Sequence, residues 1–205
     1  ITIHSSQQNE EKIKETQENK CMTELLILFK RNKNEANKFL ANFGGSASDA
    51  AIFIKKFENI ELAEEHLIRI NKECDEKTDN SCGENCKWIF DEKTKALFIR
   101  GSGEMEDYGW NSPKKAPATP WSPKRKQIKN VVISDGITMI GNGAFCEHSS
   151  LTSITIPNSV TTVGGGTFQK CSSLISITIP DSVTMIGKSA FNYCSSLISI
   201  VIPES

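Results

Sequence analysis

LTSITIPNSVTTVGGGTFQKCSS, residues 151–173, is followed without a gap by LISITIPDSVTMIGKSAFNYCSS, residues 174–196. Outward from this pair, IKNVVISDGITMIGNGAFCEHSS precedes it and LISIVIPES follows, so units begin every 23 residues at Ile128, Leu151, Leu174 and Leu197, the last one truncated. The shared frame is L-x-S-I-x-I-P-x-S-V-T-x-[IV]-G-x-x-[AT]-F-x-x-C-S-S. A fixed period of this length predicts an α/β repeat solenoid in which each unit is one coil. A unit this short buries too little apolar surface to offset its own ordering entropy, so its neighbours must complete the core.

Each position of the unit has a physical reading. Ile154 and Ile156 alternate with Ser153 and Thr155, which is strand spacing, and Ile177 and Ile179 repeat it one unit later; these runs predict short parallel strands with the isoleucines inward. Pro157, Pro180 and Pro203 lack an amide hydrogen and end the strands. Val160 and Val163, with Val183 and Ile186 after them, are spaced to pack back under the coil, and Gly164 or Gly187 is expected to permit a tight bend. Phe145, Phe168 and Phe191 recur at one place in the frame, so stacking is expected to align their rings as a core spine.

The residues that alternate away from that core are the candidate binding surface. Thr152, Ser153, Thr155, Ile175, Ser176, Thr178, Ile198, Ser199 and Val201 are expected on a concave, hydroxyl-rich sheet suited to an extended protein partner. Strand propensity and solubility alone would also select Ser and Thr there.

The frame resembles the BspA-like family of leucine-rich-repeat surface antigens, whose 23-residue units carry the same I-P-x-S-V-T-x-I-G-x-x-A-F-x-x-C-x-S-L text. The resemblance extends upstream through Cys82-Gly83-Glu84-Asn85, Trp88, Gly101-Ser-Gly103-Glu-Met105, Pro120-Trp121, Arg125 and Ile128-Lys129, which look like the leader before such repeats, and covers about residues 82–205. It implies a leucine-rich-repeat solenoid and protein binding without catalysis, and, for the family's bacterial members, cell-surface adhesion or host-protein binding. For relatives in unicellular eukaryotes it implies protein interaction only.

The chain has 205 residues, room for one ordinary domain or two small ones, and a formal net charge of −1, too little to draw nucleic acid or anionic lipid by a global field. The longest dense apolar run, Leu25 to Phe29, is far short of the roughly 18–20 residues that span a bilayer. Residues 1–20 hold no apolar signal-peptide core, although the chain begins at Ile1 rather than Met. An N-x-[ST] glycosylation acceptor is absent from the sequence. The seven cysteines form no dense framework. Cys171 and Cys194 share one column of the frame; in-register neighbours roughly 4.8 Å apart are too far for a disulfide, which predicts buried thiols. In the first unit Cys146 comes two positions early and His148 takes the column.

Ahead of the repeats, residues 1–20 read as a polar tail or frayed helix. From Met22, the spacing of Leu25, Leu26, Phe29, Ala36, Phe39, Leu40 and Phe43 predicts one amphipathic helix, stopped by Gly44-Gly45. Ser46 or Ser48 can start a second helix marked by Ala50, Ala51, Phe53, Ile54 and Phe57, and Ala63, Leu67 and Ile70 mark a third from near Glu61. Residues 21–75 are thus expected as a helical module with an apolar face in need of a partner, and self-association through it is one option. The polar, turn-rich stretch Cys74–Cys86 is expected to be the domain boundary. KWIF and ALFIRG around the turn DEKTK predict a β-hairpin, followed by an ordered loop over 101–127. Within 82–127, hairpin and loop with Trp110 and Trp121 are expected to cover the open N-terminal end of the repeats. No such device follows the last unit, which stops one strand into its coil; a longer natural array, or self-association at that open end, is the expectation.

Chemical motifs add little. Cys82-x-x-x-Cys86 with Cys74 upstream is looser than zinc-site spacing, and a local disulfide or two free thiols is the other reading; no metal or cofactor is expected. His66 reads as an interfacial or surface histidine, and His148 beside Cys146 as a column position rather than a catalytic pair. Gly164-Gly-Gly166 is not followed by the lysine of a phosphate loop. Ser112-Pro-Lys-Lys115 and Ser122-Pro-Lys-Arg125 resemble the basic tails of minor-groove binders and suggest an alternative, an intracellular scaffold or nucleic-acid-associated protein. Glu104, Glu106 and Asp107 offset that charge.

Overall fold

The computed structural model describes residues 20, 22–30, 32–44, 47–109 and 118–201. The expectations for residues 1–19, for Gly45, Ser46 and Trp110, for Ser112–Lys115 and for Pro203 lie outside these. Two compact units divide the chain, residues 1–68 and 69–205.

In the first unit, helix α1 (22–28) is separate from α2 (Lys33–Phe43), so the single helix expected from Met22 to Phe43 is broken. The cause is local. Lys30 takes a left-handed φ of 49°, and Asn32 caps α2 by accepting the Glu35 amide on its side chain at 3.3 Å. Gly44, also left-handed, closes α2 by donating its amide to Leu40. Helix α3 (Ala47–Ile54) and α4 (Ile60–Glu76) follow. Phe39, Phe43 and Phe53 are buried and meet with ring centroids 5.3 to 6.4 Å apart, and His66 lies 4.8 Å from the Phe57 ring. Ile27, Ile52, Leu62 and Ile68 are exposed.

The second unit begins within α4. Cys74–Cys86, expected to be the domain boundary, lies inside the second unit and is ordered by the buried Asn80, whose side-chain amide donates to the carbonyls of Cys74 (2.9 Å) and Trp88 (3.0 Å). It contains strand β1 (Ser81–Gly83), antiparallel to β2 (Asn85–Asp91). The DEKTK turn leads into β3 (Ala96–Glu104), which pairs with β2 over seven residues, from Asn85↔Ser102 to Asp91↔Ala96. β3 runs on into what was expected to be loop because its far end has partners on both sides, Asn85 opposite Ser102 and Ile137 opposite Gly103.

From β3 onward the pairing is parallel and forms two ladders. In the first, Leu97 meets Val131 of β4 (Asn130–Ile133), and Val131 meets Ile154 of β6 (Ser153–Thr155). Beyond β6, strand β8 (Ser176–Thr178) pairs with β10 (Ser199–Val201) as a separate two-stranded sheet, Ile177 opposite Ile200. The second ladder had no place in the sequence reading. The tail of β3 pairs with β5 (Ile137–Ile140), β5 with β7 (Thr162–Val163), and β7 with β9 (Met185–Ile186). Val163 and Ile186 therefore do more than pack under the coil: they sit on strands that stack in a register of 23, as Ile140↔Val163↔Ile186.

Between the ladders, Phe145 and Phe168 are fully buried and Phe191 is partly buried. Their rings are nearly parallel, with centroids 5.7 and 5.4 Å apart. Trp121, fully buried, continues the column at 5.8 Å from Phe145 and donates its indole N–H to the Ala144 carbonyl at 3.0 Å. Trp88 and Tyr108 then meet Trp121 edge-on. Ile154, Ile156, Ile177 and Ile179 are buried in the same core.

Gly164 and Gly187 do not serve a left-handed bend. A Cβ on Gly164 would lie 2.6 Å from the Asn142 nitrogen, and one on Gly187 2.3 Å from the Gly165 nitrogen. These glycines exist so that one coil's backbone can lie against the next.

Candidate protein-binding face

The first ladder has two faces. Leu97, Ile99, Val131, Ile133 and the isoleucines opposite them point into the core; Phe98, Val132, Thr155 and Thr178 form the alternate column. That column changes character along the array. Phe98 is 0% exposed and Val132 2%, although neither belongs to the core between the ladders. Thr155 is half-buried and Thr178 exposed. The neighbouring column repeats the trend, with Asn130 and Ser153 half-buried and Ser176 and Ser199 exposed. Ile175 and Ile198 stand beside them, 51% and 86% exposed. The Val201 backbone pairs with Thr178.

The covering at the β3 end includes charge. Arg100 stacks its guanidinium over the Phe98 ring at 4.8 Å, and burial lowers its pKa to about 10 while Cys74 and Asp75, at the end of α4, oppose that shift. Lys87 donates to the Asp75 carbonyl at 2.8 Å. Around this face the accessible part is therefore the β8–β10 end.

Not every hydroxyl of the repeat is available to a partner. Thr152, exposed, donates its hydroxyl to the Lys129 carbonyl at 3.0 Å, one coil back. Thr161 and Thr184 donate likewise to Thr138 and Thr161, Ser159 to Ile137, and Ser182 to Val160. The thiols of Cys171 and Cys194 donate to the carbonyls of Phe145 and Phe168 at 3.1 and 3.0 Å. Much of the repeat's Ser, Thr and Cys text is thus spent on coil-to-coil hydrogen bonds. The signal was present in the sequence, since these residues recur at the repeat period, but a lone strand gives no hint of it.

In the first coil, His148 occupies the cysteine column. It is 1% exposed, its Nδ1 lies 3.1 Å from the Cys146 carbonyl, and burial lowers its pKa to about 4.

The basic motif at Ser122-Pro-Lys-Arg125 is a short 3-10 turn, Ser122–Lys124, whose cations already face acids: Lys124 pairs with Glu92, and Arg125 with Glu147 at 3.7 Å. Glu147 also pairs with Lys170 at 2.7 Å. Among the described residues no group of three or more His, Cys, Asp or Glu could hold a metal ion, and no helix is long and apolar enough to cross a membrane.

Residues 124–205 match the family described as BspA type leucine rich repeat region, in six copies. Leucine-rich-repeat regions of this kind are generally protein-interaction folds rather than enzymes. No curated protein matches the chain. Similar solved structures include a leucine-rich repeat protein from Eubacterium ventriosum (21% identity, TM-score 0.41, 58% of this chain and 42% of that one). A leucine-rich repeat protein of T. pallidum has 18% identity and a TM-score of 0.35 over 60% of this chain and 72% of its own. A leucine rich cell surface protein of Faecalibacterium prausnitzii has 20% identity and a TM-score of 0.32, over 60% and 42%. The chain thus spans about 42% of the length of the Eubacterium protein. Repeating text, 23-residue parallel register and family match agree, and residues 124–205 are a leucine rich repeat region of BspA type.

Proposed function

We propose that this protein is a non-enzymatic interaction module: a solenoid covered at its N-terminal end by the β1–β3 hairpin and Trp121, which presents the outward face of its first ladder to an extended protein partner. The observation that carries this reading is the change in exposure along that face, from buried Phe98 and Val132 to exposed Ile175, Ser176 and Thr178, around a strand that still has β10 as a neighbour. Thr152, Ser153, Thr155 and Val201 complete the face, with the Thr152 hydroxyl tied to the preceding coil. Exposed isoleucines among hydroxyls give the apolar centre and polar surround that protein interfaces use. Adhesion at a cell surface is the biological setting, supported by the family match at 124–205. The N-terminal helices, with exposed Ile27, Ile52, Leu62 and Ile68, form a second interaction or self-association module. The nucleic-acid alternative loses ground because Lys124 and Arg125 already face Glu92 and Glu147.

The test is a photo-crosslinking residue at position 176, used with a panel of extracellular proteins. A discrete adduct that disappears in the Thr155→Lys, Thr178→Lys double variant supports the assignment. An adduct or pull-down unchanged by that pair of lysines refutes it.

A further inference from the structure

Two cysteines lie together where the hairpin meets the first coil. Strands β1 and β2 are antiparallel, with Ser81 opposite Lys87 and Gly83 opposite Cys86, and the shift between these pairs brings Cys82 and Cys86 to one side of the ribbon. Both belong to the core, 0% and 1% exposed, and the Cys86 side chain lies close enough to Cys82 to raise the pKa of its thiol. A Cβ on Gly83 would lie 3.1 Å from the Cys86 Cβ, so the chain doubles back tightly here. Tyr108 closes the other side, its hydroxyl 3.5 Å from the Cys82 carbonyl.

The remaining described thiols point elsewhere. Cys171 and Cys194 donate to backbone carbonyls of the preceding coil, Cys146 lies 3.8 Å from the Gln169 side-chain oxygen, and Cys74 receives the Asn80 amide at 3.6 Å. Cys82 and Cys86, by contrast, flank one register irregularity of the β1–β2 ribbon and share one core.

We propose that Cys82 and Cys86 are a dithiol/disulfide pair, oxidised by exchange with a small-molecule disulfide such as glutathione disulfide, which fastens the β1–β2 turn over the first coil. The Cys82 thiolate attacks one sulfur of glutathione disulfide and releases one glutathione thiolate. The Cys86 thiolate then attacks the Cys82 sulfur of the mixed disulfide and releases the second. The protein gives up two electrons and two protons, and glutathione disulfide becomes two glutathione thiols.

The surroundings set the rate. The interaction with the Cys86 side chain and burial raise the Cys82 pKa well above that of an ordinary thiol, so the closed form holds Cys82 protonated, and both side chains are buried out of reach. Exchange therefore proceeds through opening of the β1–β2 turn, and is slow in the folded protein. The bond closes a short loop, and its expected effect is to raise the thermal midpoint of the repeat unit by roughly 5 °C.

The experiment uses the full chain in glutathione buffers of increasing oxidising strength, quenched by alkylation under denaturing conditions and read by peptide mass spectrometry. The expected result is a peptide carrying Cys82 and Cys86 that escapes alkylation and has lost two hydrogens, while Cys74, Cys146, Cys171 and Cys194 are alkylated. In the Cys82→Ala variant Cys86 should instead accumulate as the mixed disulfide with glutathione. Persistence of both thiols in the wild-type chain at the most oxidising buffer overturns the proposal, as does a bond from either cysteine to a third one. The wild-type measurement needs no variant to fold.

Discussion

At the scale of single residues, backbone contact decides more than side-chain chemistry. Gly164 and Gly187 stand where a methyl group would press on the neighbouring coil's backbone, which cannot move aside without parting the ladder. Gly164→Ala is expected to cost about 2 kcal/mol or more in unfolding experiments, above the usual glycine-to-alanine effect. A second column has the opposite tendency. Gly143 and Gly166 take left-handed φ values of 66° and 60°, and Ser189 takes the same place at 61°. Ser189→Gly relieves the Cβ penalty and is expected to be neutral or stabilising by up to about 1 kcal/mol in a denaturant titration.

His148 makes stability depend on pH. Its pKa is about 4 in the folded protein against an ordinary 6.5, because burial disfavours the imidazolium. Below pH 6.5 the unfolded chain takes up a proton that the folded one refuses, so stability is full above that pH and is lost as pH falls toward 4. The loss amounts to about 3 kcal/mol. His148→Cys, which restores the residue of the column, should flatten the dependence between pH 7 and pH 4.5 measured by urea unfolding; an unchanged slope would refute the assignment.

At the scale of elements, the aromatic column and the two ladders hold the coils together. Phe168 lies fully buried between Phe145 and Phe191, and Phe168→Ala should cost about 3–5 kcal/mol in chemical denaturation. Trp121 was legible only in part. Its tryptophan type suggested a covering residue, while its place in the column rests on an offset of 24 from Phe145, one residue more than the repeat. The first ladder was legible because alternating isoleucines spell a strand. The second was not, because Thr162–Val163 and Met185–Ile186 are too short to show alternation, and only stacking gives them hydrogen-bond partners. Likewise the break after Phe29 was hidden, since helical spacing carries on through a turn set by Lys30 and Asn32. For the candidate face, alternation told which residues leave the core, but not that Phe98 and Val132 would be buried on that side.

At the scale of the whole molecule, each coil is held by its neighbours, so stability should be graded along the array. Amides of Gly143, Phe145 and Glu147 donate to Gly165, Thr167 and Gln169 at 2.8 to 2.9 Å, and those of Gly166, Phe168 and Lys170 donate to Lys188, Ala190 and Asn192 at 2.8 to 3.0 Å. Each bond reaches 22 residues ahead. In hydrogen exchange the first set, placed beside the Trp121 end of the column, should be protected longer than the second; the reverse order would place the stable end elsewhere.

The same bonds offer the most direct test of the stacking itself. A long-range NMR experiment that detects scalar coupling through hydrogen bonds should connect the nitrogen of Phe145 to the carbonyl carbon of Thr167, and that of Phe168 to that of Ala190. Couplings at an offset of 22 residues are the predicted result. Couplings to carbonyls three or four residues away, in a chain shown to be folded, would contradict it.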